Sequence, residues 1–152
     1  MAHNVSMSKA LRNLLLTTSD LKTIVDGKFK LYIYGGTVPA NADTVSTTGA
    51  SPLICTVAVA TAAVNLAATA TDGVISKLGS ETWSGVNGAS DDATFFRFQL
   101  PSDAIDTVSD VATTPRIQGT IGVIDCDLNV GTVTLVSSAT FTVPQFQITL
   151  PV

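Results

Sequence analysis

"DCDLNVG", from Asp125 to Gly131, is the stretch of this sequence that comes nearest to a chemical motif. Asp125, Asp127 and Asn129 fall at the first three ligand positions of an EF-hand-type calcium loop, where oxygen-bearing side chains converge on the cation. The glycine then arrives at position seven instead of six, and position twelve is Val136 where a bidentate Glu is required. The pattern predicts no metal site. It predicts a polar turn between strands, with Asp and Asn side chains accepting from backbone N–H groups. Gly35-Gly36 fails as a phosphate loop for a similar reason. Such loops need a helix to open at once so that its N-terminal N–H groups face the anion, whereas "TVPANAD" follows here.

Acid–base and nucleophilic chemistry find little support. The sole histidine, His3, lies in an N-terminal segment expected to be mobile, and a Ser-His-Asp or Cys-His device needs an oriented imidazole. The carboxylates cluster in loop-like stretches, "SDD" and "PSDAIDTVSD", where solvated Asp is the norm. Cys55 and Cys126 have no ligand-type spacing, so two reduced, buried thiols are expected; a disulfide between them would need neighbouring strands and an oxidising compartment. The expectation is a protein without catalytic residues, metal or cofactor.

The elements around these residues are short. Ser8 is placed to cap "KALRNLLL", with Leu11, Leu14 and Leu15 on one face. Thr18 or Ser19 offers a second cap before "DLKTIVDG", where Leu21, Ile24 and Val25 are apolar and Gly27 stops the helix. From Lys28 the apolar period changes from 3.6 to 2. Phe29, Leu31 and Ile33 share one face, and Lys30, Tyr32 and Tyr34 the other. Leu53, Cys55, Val57 and Val59 align next. "TDGVIS" sets an Asp-Gly turn before a strand. "TFFRFQL" points Phe96, Phe98 and Leu100 inward and Phe95, Arg97 and Gln99 outward; "RIQGTIGVI" aligns Ile117, Gly119, Ile121 and Val123, and "GTVTLV" aligns Val133 and Leu135. In "ATFTVPQFQITLPV" the apolar phase slips by one at Pro144-Gln145, which predicts a bulge. "DTVSDVATT" reads as a polar surface loop. Seven or eight short strands and no helical period after Gly27 predict a mainly β fold. It is an antiparallel β-sandwich (jelly-roll or Ig-like), residues 28–152, preceded by a short N-terminal helical arm, residues 1–27.

Of the 152 residues only 13% are charged, about half the usual ~25%. That leaves weak electrostatic protection against association and suits a chain that works inside an assembly. The charge is uneven. Residues 1–30 hold five basic residues against two acidic, and residues 31–152 hold three against ten. Solvated helix faces account for this as readily as a basic arm that docks on an acidic partner. Five scattered basics without aromatic interleaving exclude a direct nucleic-acid contact. The longest apolar candidate, Leu53 to Ala70, is broken by Cys55, Thr56, Thr61, Asn65 and Thr69 and falls short of a membrane span. Leu14-Leu15-Leu16 is too short for a signal-peptide core, so a soluble, non-exported protein is expected.

In order along the chain stand "ALRNLLL", "LYIYGGTVPANAD", "GVIS", "DATFFRFQL", "RIQGTIG", "CDLNV" and "TVPQFQITLP". This series resembles a family of small tailed-bacteriophage virion structural proteins, over almost the whole chain. The chain departs from that pattern in "LPSDAIDTVSDVATTP" and in its two cysteines. The resemblance implies that "LYIYGGTVPANAD" is an entry strand with its corner, and that the protein is a non-enzymatic virion component assembled in the host cytoplasm. The leading expectation is a capsid decoration (cement) protein, bound to the major capsid protein or other virion proteins. It would form a homo-oligomer and dock through Lys9, Arg12, Leu15, Lys22 and Lys28. The alternatives are a tail, neck or baseplate accessory subunit, and a receptor- or carbohydrate-binding β-sandwich using Tyr32, Tyr34, Trp83 and Phe95. Trp83, in the Gly/Ser loop "GSETWSGVNG", is the best of these, yet its favoured reading is a loop side chain that folds back onto the sandwich.

Overall fold

The computed structural model describes residues 5–17, 19–44, 51–60, 62–103 and 114–149. His3 and most of "DTVSDVATT" lie outside them. The chain begins with β1 (Ser6–Met7), α1 (Lys9–Thr17) and α2 (Leu21–Val25). Ser8 caps α1 as its position suggests: its Oγ accepts from Leu11 N at 3.2 Å. The cap of α2 is Asp20, one residue beyond the candidates read from the sequence; its carboxylate accepts from Thr23 N at 2.9 Å and Thr23 Oγ1 at 2.8 Å. A carboxylate reaches two donors where a hydroxyl reaches one. Gly27, at a φ of 66°, ends the helix in the left-handed conformation.

Strands follow: β2 (Lys30–Gly35), β3 (Leu53–Val57), β4 (Val74–Ser76), β5 (Trp83–Val86), β6 (Asp91–Gln99), β7 (Arg116–Gly122), β8 (Leu128–Asn129), β9 (Thr134–Leu135), β10 (Thr140–Val143) and β11 (Gln147–Thr149). The fold is mainly β and antiparallel, apart from the short β7–β8 pair. The principal ladder runs β1-β7-β6-β2-β3, and bridges Cys55–Asn87 and Ala58–Ser84 carry it on to β5, which pairs with β10. β4 and β11 form a separate pair. Asp72 and Gly73, both at positive φ, make the expected two-residue turn between Thr71 and Val74.

One apolar cluster joins these elements. Phe29, Leu31 and Ile33 of the β2 segment, Phe96 and Phe98 of β6, Ile117 and Ile121 of β7, and Trp83, Phe141, Phe146 and Ile148 all belong to it. So do Leu11, Leu21, Ile24 and Val25, so the helices share their core with the strands. Phe146 sits at the centre of the aromatic contacts, with ring centroids 5.5 Å from those of Trp83, Phe96 and Phe98.

Two readings of strand phase need correction. The slip at Pro144-Gln145 is real, since Phe141, Val143, Phe146 and Ile148 are all buried. It is not a bulge within one strand: β10 pairs with β5 and β11 with β4, and the proline lies where the chain leaves one partner for the other. A register shift does occur in β3. Ile33 faces Cys55 while Tyr34 faces Leu53, so the extra residue, Ile54, joins the core and Leu53 turns to the opposite side.

The outward face of β2, β6 and β7 is buried as well. Phe95, Arg97 and Gln99, expected in solvent, are fully covered, and Tyr34 stacks on Phe95 at 4.9 Å. The segment after Gly35-Gly36 returns over this face. Asn41 O accepts from Arg97 Nη2 at 3.3 Å, and Pro39 O from Gln118 Nε2 at 2.8 Å. Gln118 Oε1 accepts from Arg97 Nε and Nη2 at 3.0 and 2.8 Å. Arg116 is held in a fork by Asp103, with Nε at 2.6 Å and Nη2 at 2.7 Å from its two oxygens. Burial, then the neighbouring Arg116 charge, pushes Arg97 down to about 10. Both members of the Arg116–Asp103 pair are at most 2% exposed at the side chain. Asp103→Ala removes both bonds of this fork from a buried guanidinium. It should therefore cost about 1.5–3 kcal/mol, as for hydrogen bonds to a charged group, read as a fall in the urea midpoint. An unchanged midpoint would show that the fork does not contribute to stability.

Candidate docking surface

Four of the five residues read as docking candidates are cations, and they do not form one surface. Lys9 and Arg12 are exposed on α1 and have no side-chain ion pair among the described residues. Lys22 is half-buried, ion-paired with Asp26, and its Nζ also donates to Leu66 O at 3.1 Å. Lys28 Nζ donates to Thr23 O at 2.7 Å and so closes α2 on itself. Leu15 is half-buried against the core with Leu14. Lys22 and Leu15 are thus committed to the fold.

A residue passed over in the sequence completes the surface. Leu16 is 85% exposed. With Leu11 buried and Leu14 and Leu15 half-buried, the helical period turns Lys9, Arg12, Asn13 and Leu16 outward on one stripe. The same 3.6-residue count that assigned Leu11, Leu14 and Leu15 to one face excludes Leu16 from it. The stripe is rigidly mounted. Ser8 N donates to Arg116 O at 3.0 Å and Ser8 Oγ accepts from Arg116 N at 2.9 Å, which ties the start of α1 to β7. Lys9 N donates to Asp43 Oδ1 at 3.0 Å, which ties it to the returning segment.

The aromatic candidates for a carbohydrate platform lie inside. Tyr32, Tyr34, Trp83 and Phe95 are all buried. Trp83 sits on β5, where its Nε1 donates to Glu81 Oε2 at 2.8 Å. Glu81 also accepts from Asn65 Nδ2 at 2.5 Å and from Asn65 N at 2.9 Å. Partial burial works against ionisation of Glu81, but the Asn65 and Trp83 bonds and the Lys77 charge outweigh it and hold the carboxyl below its usual range.

The polar turn 125–131 behaves as read. Asp127 Oδ2 accepts from Thr120 N at 2.7 Å and Thr120 Oγ1 at 2.9 Å, and Asn129 Oδ1 accepts from Cys126 N at 3.2 Å. Asp127 Oδ2 thus anchors the turn to β7, and Asn129 Oδ1 closes it locally. Among the described residues no group of three His, Cys, Asp or Glu could hold a metal ion. Cys55 and Cys126 are both free thiols; Cys55 is buried and its thiol is pushed up to about 11 by burial, whereas Cys126 is half-exposed. No helix among the described residues is long and apolar enough to cross a membrane.

Comparison with protein-family models, with curated proteins and with solved structures finds no match to this chain.

Two outcomes follow from the Trp83 site. Trp83→Ala should destabilise the fold by about 3–5 kcal/mol, as expected for a buried aromatic, measured by denaturant unfolding. Glu81 is depressed in the folded state, so its contribution is present above the usual carboxylate range and is lost as pH falls through the lowered value. The stability advantage of the wild type over Glu81→Gln should accordingly be larger at about pH 7 than at about pH 3. An advantage independent of pH would remove the charge-based account.

Proposed function

We propose that this chain is a non-enzymatic bacteriophage virion structural protein, a capsid decoration protein that binds and stabilises the assembled head. In this reading the β-sheets form a sandwich of jelly-roll or Ig-like type, and α1 presents the docking stripe. The observation that carries it is the exposed Lys9–Arg12–Leu16 stripe, mounted on the core at the basic end of an otherwise acidic chain. A cationic stripe around one apolar side chain suits an acidic partner surface. The ordered motif resemblance along the chain supports the virion setting. Many copies in symmetric positions would gain avidity from individually modest contacts. Binding only the assembled shell would stabilise it by mass action.

Deleting the first 26 residues would be a poor test, because Leu11, Leu21, Ile24 and Val25 would leave the core with them. The exposed charges are a cleaner handle. Purified protein should co-sediment with undecorated capsids and raise their melting temperature. Lys9→Glu with Arg12→Glu should weaken that binding about tenfold or more while leaving the protein's own Tm unchanged. Leu16→Ser should weaken it too, without the salt dependence of the charge variant. If the wild type ignores capsids, the decoration reading is lost in favour of a tail, neck or baseplate subunit. If the charge reversal binds as well as the wild type, the stripe is not the contact.

A further inference from the structure

β10 has one partner and one open edge. On β5, Ser84 exchanges both backbone hydrogen bonds with Ala58 at 3.0 Å, so its polar groups face β3. Alternation then turns Trp83 and Gly85 toward β10, where they oppose Val143 and Phe141. Asn87 fits the same phase, since its N donates to Ala139 O at 2.9 Å. The N–H and C=O groups of Thr140 and Thr142 therefore point away from β5. They have no hydrogen-bond partner among the described residues.

Apart from its shortness, this edge lacks the usual protection. "TFTV" holds no charge, no proline and no bulge, and Pro144 comes only after it. Beside it lies a groove of about 300 Å³ whose lining includes Val130, Leu135, Val136, Ala139 and Phe141 and no charged residue. Val86, opposite Thr140, is 65% exposed, and Val136 is 59% exposed.

We propose that the β10 edge is a self-association surface, where a second copy of this chain adds its own β10 antiparallel. The geometry is self-complementary. Centred on Phe141, a two-fold pairing sets Thr140 of one copy opposite Thr142 of the other, twice. Each such pair exchanges two backbone bonds, so four outward groups on each strand are satisfied by the same four on its mate. Charge does not oppose this pairing: the chain carries a net charge of −4, but the groove beside the edge has no charged residue in its lining. The edge is only four residues long, so the contact is weak by itself and is favoured where copies are held at high local concentration. This inference does not depend on the capsid reading.

Sedimentation equilibrium of the purified protein over a range of concentrations tests it directly. The wild type should show a reversible dimer. Thr140→Lys with Thr142→Lys places like charges opposite each other at both pairs and should weaken association about tenfold or more. Thr140→Lys with Thr142→Glu places Lys opposite Glu and should retain it. Both positions are exposed, and matched thermal unfolding curves confirm that the variants fold. A wild type that stays monomeric throughout overturns the proposal, including one that associates only when another protein is added. So does a Lys/Lys variant that dimerises as tightly as the wild type, or a Lys/Glu variant that dissociates along with Lys/Lys.

Discussion

β6 is covered on both faces from Phe95 to Gln99, and the rest of the structure follows from that constraint. One face meets the aromatic cluster around Phe146. The other carries Arg97 and Gln99 and adjoins Arg116 and Gln118 of β7, all buried. Buried polar groups must be paired, or their desolvation goes uncompensated. The segments that run over this face therefore have to supply partners as well as exclude water. Asp103 does so with a carboxylate, and Pro39 and Asn41 with backbone carbonyls.

That requirement explains the corner at Gly35-Gly36. Gly35 is packed so closely that an added Cβ would lie 2.6 Å from Asp91 Oδ2, and Gly36 takes a φ of 72°. Together they let the chain leave β2, turn at once and come back across the sheet. The same arrangement fixes α1. Ser8 serves as helix cap and as a rung against Arg116, so the exposed stripe of Lys9, Arg12 and Leu16 inherits its position from β7. Such mounting would favour the proposed contact, because less freedom would be lost on binding.

The two proposed contacts differ in kind: the α1 stripe is cationic around one exposed leucine, whereas the β10 edge and the groove beside it carry no charge.

Alternation and helical period were legible in the chain. They assigned Phe29, Leu31 and Ile33 to one face, Leu11 to the inside of α1, the Asp-Gly turn to residues 72–73 and the phase slip to Pro144. These are local properties, set by side-chain direction within one element. The sequence could not show whether a face is covered. Tyr34, Phe95 and Arg97 alternate correctly with the core residues, and nothing in that alternation reveals that residues 36–44 return across them. Nor could it distinguish a bulge from a change of partner at Pro144, or show which cations stay free, since Lys22 is claimed by Asp26 and by Leu66 O, the latter 44 positions away. Those outcomes depend on contacts between segments distant in sequence, and a pattern with a period of two or 3.6 residues carries no information about them.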